Sequence, residues 1–451
     1  MADILPFRAL RYDLSKVKAG DVMTQPYDKI TPAMQDQYYA ASPYNLVRII
    51  LGKPQPTDSD QENVYTRAAA CLRQWQAEGI LRPDADPSLY VYVQRFKVPG
   101  AGGTEVERRG FIALGRVEDY DRKVVYRHEQ TLSKPKADRL NLLQTTQAHC
   151  EQIFMLYSDP ADEIAKLLKP TTAPDIELRD EYGVLHQLWK VSDPATVAAA
   201  KAKMADKKLI IADGHHRYET ALNYRNQMRQ QVKGDADAPY ERVVITFVNM
   251  DAPGLVILPT HRVVFGLENF SIFEMIAALR EYFEVEDIAP ISDVAAAVQR
   301  LRHAGKDGTA LLAVTAHSTF LLRGRKDVHP AKLKDLSPAQ QGLDVVQLHQ
   351  LILEEILGMS QEDIRAQKHL KYIRDAAEAV EEVRTGAAQV TFLMNPVHIE
   401  QMRDIAFAGE VMPQKSTDFY PKMLSGLTIY SVATPAASKV EEAQLTGARS
   451  E

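Results

Sequence analysis

Residues 210–222 read IIADGHHRYETAL, which sets Asp213, Gly214, His215, His216 and Arg217 between a short apolar run and a helical pattern. A strand that ends in Asp-Gly and turns at once into a helix points unpaired backbone N–H groups, with partial positive charge, at whatever lies before the helix. That is an anion site. Gly214 lets the backbone bend and approach a ligand, the two histidines add donors, and Arg217 offers a fork suited to phosphate. The plainer alternative is that Asp213 caps the helix while the histidines pack or face solvent. A transition metal is the third option. Adjacent His215 and His216 point in different directions on a helix, so one ion would need His128, His149, His186 or His261 as well.

Three other stretches carry chemistry. In RHEQT (127–131), Glu129 suits a general base or a magnesium-linked carboxylate, His128 a donor and Arg127 a phosphate partner, with Lys134, Lys136 and Arg139 close behind in the chain. A solvated connection of mixed charge explains the same residues. MPQKST (412–417) brings Lys415 together with the hydroxyls of Ser416 and Thr417, groups that can hold phosphoryl oxygens. Its order is like the end of a phosphate loop, but the Gly-x-x-x-x-Gly run is missing, so it is not one. Asp28, in QPYDKI (25–30), is an alternative base in an N-terminal loop. Asn395, Pro396, His261 and Arg262 are weaker candidates that strand-end turns would also explain.

The elements that must position these groups follow from periodicity. Helices are expected at 61–79, 193–206, 217–232, 271–283, 292–305, 345–357 and 397–409, and strands at 89–96, 109–117, 207–213, 242–250, 309–315, 318–324 and 389–395. Alternation of the two types predicts an α/β to α+β class. A boundary is placed near 267, giving an N-terminal α/β region (1–267), a C-terminal α+β region (268–433) and a polar tail (434–451) expected to be disordered.

With 451 residues the chain is long enough for two such regions. Its 54 Lys and Arg against 60 Asp and Glu leave a formal charge of −6, a poor footprint for nucleic acid. The two cysteines, Cys71 and Cys150, cannot form a disulfide framework or a cysteine-based zinc site. No apolar run reaches membrane-spanning length, and the start does not read as a secretory signal, so a cytoplasmic protein is expected.

The junction at 210–222, together with QPYDKI, SPYNLVRI (42–49), RHEQT, LPTHRV (258–263) and MPQKSTDFYPK (412–422), resembles the prokaryotic family called domain of unknown function one-zero-one-five, over nearly the whole chain. The Asp-Gly-His-His-Arg run is also similar to the phosphate-binding motif of the ParB and sulfiredoxin-like superfamily, which includes ADP-dependent free serine kinases. Those kinases have a matching run and an essential carboxylate early in the chain. The resemblance implies a ParB-like nucleotide-binding core, with Asp213 to Arg217 at the phosphates of ADP or ATP, bridged by Mg²⁺. It further implies transfer to a small hydroxylated metabolite, free serine or phosphoserine being the first to try. Glu129 or Asp28 would take the hydroxyl proton, and Arg217 and Lys415 would neutralise the moving phosphoryl group. A nucleotide-binding regulatory protein without turnover and a metal-dependent hydrolase are the alternatives. Sulfiredoxin's reactive cysteine has no counterpart in the motif. The acceptor, the choice among ADP, ATP and CTP, and the oligomeric state are not legible.

Overall fold

The computed structural model describes residues 2–100, 102–129, 134–231 and 235–433, apart from the side chains of 134–136; the segment 434–451, expected to be a disordered tail, lies outside the described residues. The chain forms two compact units, one comprising Met1–Tyr126, Leu132–Leu255 and Pro421–Glu451, the other Arg127–Thr131 and Val256–Tyr420. The architecture is mixed α/β.

The first unit is built on a nine-stranded mixed sheet. Its centre is a row of strands in the spatial order Leu209–Asp213, Ile153–Tyr157, Arg242–Asn249, Glu105–Arg116 and Leu89–Lys97. Arg242–Asn249 runs parallel to Ile153–Tyr157, whereas most other pairs are antiparallel. Ile153–Tyr157 and residues 209–212 and 243–248 are near-continuous apolar runs, the pattern expected when both faces of a sheet are covered. Ile153, Met155, Ile211, Ile245 and Phe247 are all fully buried in one core on this sheet. The helix Val64–Ala77 starts at Asn63, whose side chain accepts from the N–H groups of Tyr65 and Thr66 while Thr66 returns a bond to the Asn63 N–H. That reciprocal cap is what a helix start needs to satisfy its first donors. The hairpin between Leu89–Lys97 and Glu105–Arg116 extends beyond the strand expected at 109–117, to Lys97 opposite Glu105, and on this outer part Arg95 and Arg109 both bind Glu107.

The second unit contains a six-stranded antiparallel sheet in the order Phe283–Ile288, Thr319–Gly324, Ala310–Val314, Val390–Met394, His261–Val264 and Leu370–Ile373. Leu301, Leu312, Leu321, Val380, Val383 and Leu393 form its core. Phe283–Ile288 is a strand with no clear signal in its sequence, FEVEDI. It is held by pairing with Thr319–Gly324 and by Glu286, which binds both Arg300 and Arg323. The helix expected at 345–357 is a short α-helix, Asp344–Gln347, that widens into a nine-residue π-helix, Leu348–Ile356. π-turns of this kind often mark functional sites, and this one carries the buried His349. Among the described residues, no helix is long and apolar enough to cross a membrane.

Candidate anion-binding site

In the first unit, Leu209–Asp213 is buried until its last residue, and its register against Ile153–Tyr157 shifts between Ile211 and Asp213. Gly214 then takes φ +92°, a backbone angle that side-chain-bearing residues avoid. The next bond, from the Tyr218 N–H to the Gly214 carbonyl, opens the 17-residue helix His215–Gln231. A Cβ on residue 214 would lie 3.0 Å from Arg217 Nε, so glycine is needed both for the turn and for the space beside the guanidinium.

Asp213 is the hub of a charge cluster. Its Oδ2 accepts from Arg217 Nη2 at 2.7 Å and its Oδ1 from Lys422 Nζ at 2.9 Å. Burial opposes ionisation of this carboxyl, but Lys422 and Arg217, with Lys29 behind them, outweigh it and hold the group far below the usual carboxylate range. Arg217 also donates to the Gln152 carbonyl. Burial works against its charge as well, yet Asp213, Glu151 and Asp28 together raise its pKa. Lys422 is fixed through its backbone: Gln94 Nε2 donates to the Lys422 carbonyl at 2.8 Å, and the buried Arg108 donates to that of Pro421. Burial lowers the pKa of Arg108 to about 10, with Asp213 acting in the opposite sense. Asp28 lies exposed in the turn Tyr27–Lys29. Lys29, Arg108, Arg217 and Lys422 thus act on one carboxylate, Asp213, with Asp28 nearby.

His215 is buried at the helix start and His216 is partly exposed, as adjacent helical positions require. The more distant histidines have other tasks. His186 pairs with the Tyr92 hydroxyl at 2.6 Å and with Asp180 at 3.1 Å, and burial pushes His149 down to about 4. Among the described residues, no group of three or more His, Cys, Asp or Glu side chains is placed to hold a metal ion.

The remaining site residues from the sequence fall in the second unit. Thr417 gives both its N–H and its hydroxyl to Glu129 Oε1, each at 2.7 Å, and the same hydroxyl is 2.8 Å from His128 Nε2. An Nε2-protonated His128 donating to Thr417, which in turn donates to Glu129, makes these two contacts mutually consistent. Ser416 donates to the Pro413 carbonyl at 2.6 Å, closing a local turn. Lys415 is exposed at φ +57°, and its carbonyl accepts from Arg262 Nη2 at 3.0 Å. Arg262, fully buried, also bonds the Thr260 and Gln414 carbonyls and approaches His349 Nε2 at 3.3 Å. Arg127 is exposed. Of the basic residues after RHEQT, Arg139 belongs to the first unit, and the side chains of Lys134 and Lys136 lie outside the described residues.

The structure therefore gathers Asp28 and Asp213 to Arg217 in one unit, and Arg127 to Glu129 with Lys415 to Thr417 in the other. It adds residues the sequence does not single out. Lys29 and Lys422 sit inside quoted motifs, Lys29 directly after Asp28. Arg108 and Glu151 carry no motif at all.

The chain belongs to the family described as Protein of unknown function (DUF1015), whose model matches residues 4–346. A comparison with curated proteins finds no match. Several solved structures are similar at a distance. A conserved hypothetical protein from Pyrococcus furiosus is 14% identical, with 66% of this chain and 89% of that one covered and a TM-score of 0.33. A free serine kinase in complex with AMP is 14% identical, with 66% and 83% covered and a TM-score of 0.32. SbnI with a C-terminal truncation, from Staphylococcus aureus, is 9% identical, with 74% and 96% covered and a TM-score of 0.35.

Proposed function

We propose that the first unit binds the phosphates of a nucleotide at the start of helix His215–Gln231 and transfers a phosphoryl group to a small hydroxylated metabolite. The observation that carries this is the pair of cations, Arg217 and Lys422, held on a largely buried Asp213 at a glycine turn into a long helix. Phosphoryl transfer asks little covalent chemistry of a protein and depends on positioning and charge stabilisation. Asp213 supplies the positioning, because it fixes both cations before any ligand arrives. The helix start and the forked guanidinium supply donors to phosphate oxygens.

Asp28 is the exposed carboxylate beside this cluster, and it fits a role toward Mg²⁺, which takes one or two carboxylates together with substrate phosphates. Bound Mg²⁺ would neutralise phosphate charge. Asp28 is also the carboxylate we favour as proton acceptor, since Oε1 of Glu129 already takes two bonds from Thr417. The strand, glycine turn and helix support the ParB-like role that the Asp-Gly-His-His-Arg motif implies, and that motif makes free serine the first acceptor to test.

The test is a thermal-shift titration with ADP, ATP, CTP and phosphoserine, each with and without Mg²⁺, on the parent and on Arg217→Ala. A ligand at a hundred times its Kd adds about 2.7 kcal/mol to stability. A shift in the parent that disappears in Arg217→Ala is expected, followed by phosphate transfer to serine in the parent. No shift with any nucleotide in folded protein refutes the proposal. A shift without turnover on any acceptor points instead to a nucleotide-gated regulatory protein.

A further inference from the structure

A small cavity of about 40 Å³ in the first unit is lined by Arg139, Glu151, Arg217, Thr220, His149 and Cys150 on its polar side. Ile50, Leu142, Leu143 and Val243 are among its apolar walls. Two of its groups lack what burial demands. Thr220 is 4% exposed, and its hydroxyl has no hydrogen-bond partner. Glu151 is 7% exposed. Its Oε1 accepts from the Tyr27 N–H at 3.0 Å and, more weakly, from the Ser425 hydroxyl at 3.4 Å. Its Oε2 has only Arg139 Nη1, at 3.7 Å, which is beyond hydrogen-bond length.

Neither arginine hydrogen-bonds Glu151; both act on its charge only through space while bonding other groups. Arg139 pairs with Asp138 and donates to the Ile50 carbonyl, and Arg217 pairs with Asp213 and donates to the Gln152 carbonyl. A buried carboxylate without a hydrogen-bonded cation is costly. Burial accordingly moves the Glu151 carboxyl upward, with Arg217 and Arg139 only partly offsetting it. Besides the two guanidiniums, the other titratable groups in the lining, His149 and Cys150, are neutral near pH 7, and Asp28 acts on Glu151 in the same sense as burial. Burial pushes His149 down to about 4 and the Cys150 thiol up to about 12, so neither repels a cation or competes as an anion.

We propose that this cavity is a binding site for a primary ammonium group on a short aliphatic stem, with Glu151 and Thr220 as its hydrogen-bond acceptors. An ammonium can donate to the carboxylate and the hydroxyl together and brings the positive charge that the Glu151 carboxylate lacks within hydrogen-bond distance; a ligand hydroxyl can reach both groups, donating to Glu151 and accepting from Thr220, but carries no charge. At roughly 10–15 Å³ for each water-sized position, the cavity has room for about three such positions, the size of an aminoethyl head. The apolar walls suit its methylenes. Arg217 lines this cavity and also belongs to the anion site, so the two sites share a wall. The inference deepens the phosphotransfer reading by naming an amine-bearing acceptor, and it rests on that reading for the acceptor role alone.

Isothermal calorimetry on the full chain separates the two ideas. Ethylammonium and ethanolammonium chlorides serve as probes, with ethanol and ethylene glycol as neutral counterparts. The ammonium probes are expected to bind at least tenfold more tightly than the neutral ones. Loss of one charge-assisted bond in Glu151→Gln should weaken them about tenfold to a hundredfold. Thr220→Val should weaken them severalfold while keeping the ADP thermal shift of the parent. Equal affinity for ethylammonium and ethylene glycol, or unchanged ethylammonium affinity in Glu151→Gln, overturns the proposal. Should Glu151→Gln fail to fold, a crystal of the parent soaked in ethylammonium decides. Nitrogen within hydrogen-bond distance of Glu151 and Thr220 supports the site, and water alone overturns it. Ammonium binding without any nucleotide shift would uphold this site while refuting the phosphotransfer reading.

Discussion

Replacing Asp213 by Asn removes one negative charge from between two cations that water hardly reaches, the Lys422 and Arg217 side chains being 8% and 11% exposed. Breaking a buried pair by deleting one partner costs about 3–5 kcal/mol, because the remaining charge stays desolvated. Asparagine keeps the shape and one acceptor oxygen, so the lower figure, about 3 kcal/mol, is expected. For a unit of this size each kcal/mol moves the midpoint by about 2 °C, so the transition of the first unit should fall by about 6 °C in differential scanning calorimetry at pH 7. The pH dependence follows from the depressed carboxyl. Its stabilisation is complete above the unfolded Asp value of about 3.9 and is lost as pH falls from there toward the folded value. The gap between parent and variant should therefore be flat from pH 5 to 8 and close below pH 4. The freed cations should also make the variant gain more than the parent from added inorganic phosphate. A gap under about 1 kcal/mol at pH 7, or one that widens on acidification, refutes the assignment of Asp213 as the group that fixes these cations.

Two further substitutions probe the geometry. Gly214→Ala forces a side chain into φ +92° and 3.0 Å from Arg217 Nε. It should cost about 1–2 kcal/mol and abolish the nucleotide shift as Arg217→Ala does; a fully retained shift would mean that the turn is not part of the site. Thr417→Val removes the hydroxyl between His128 and Glu129. Calorimetry should show about 1–3 kcal/mol lost from the second unit's transition with nucleotide binding intact, and a lost nucleotide shift would instead bring the MPQKST segment into the binding site.

The strand-to-helix junction was legible because each of its signals is local. The apolar run 209–212, the acid, the glycine and the helical pattern all fall within a dozen residues, and the structure follows them to Asp213 and His215. Its electrostatics were not legible, since Lys422 meets Asp213 across 209 positions of sequence. Arg108 shows the same limit. In the sequence it is one charged residue just before the strand expected at 109–117, and only the fold reveals that it is buried and holds the Pro421 carbonyl. Glu151 belongs to no motif, and Thr220, although inside 210–222, is not one of its charged or histidine positions; what marks both is the partners they lack, which spacing cannot express. The strand Phe283–Ile288 was missed because its acids alternate with apolar residues in too short a window, and ion pairs to Arg300 and Arg323 stabilise it. The π-turns at Leu348–Ile356 have an ordinary helical sequence pattern.

The first unit is discontinuous: the chain leaves it for Val256–Tyr420 and returns at Pro421. Synthesis runs from the N-terminus at about 5–20 residues per second, so a nascent chain that has already made Asp213 and Arg217 waits on the order of ten seconds for Lys422. During that interval the helix start has Arg217 but not Lys422, and the carboxylate lacks the cation that acts on it most strongly. A ribosome-bound chain stalled before residue 421 should therefore lack the finished anion site even with the whole nine-stranded sheet synthesised, which makes the return of the chain at Lys422 the step that arms the site.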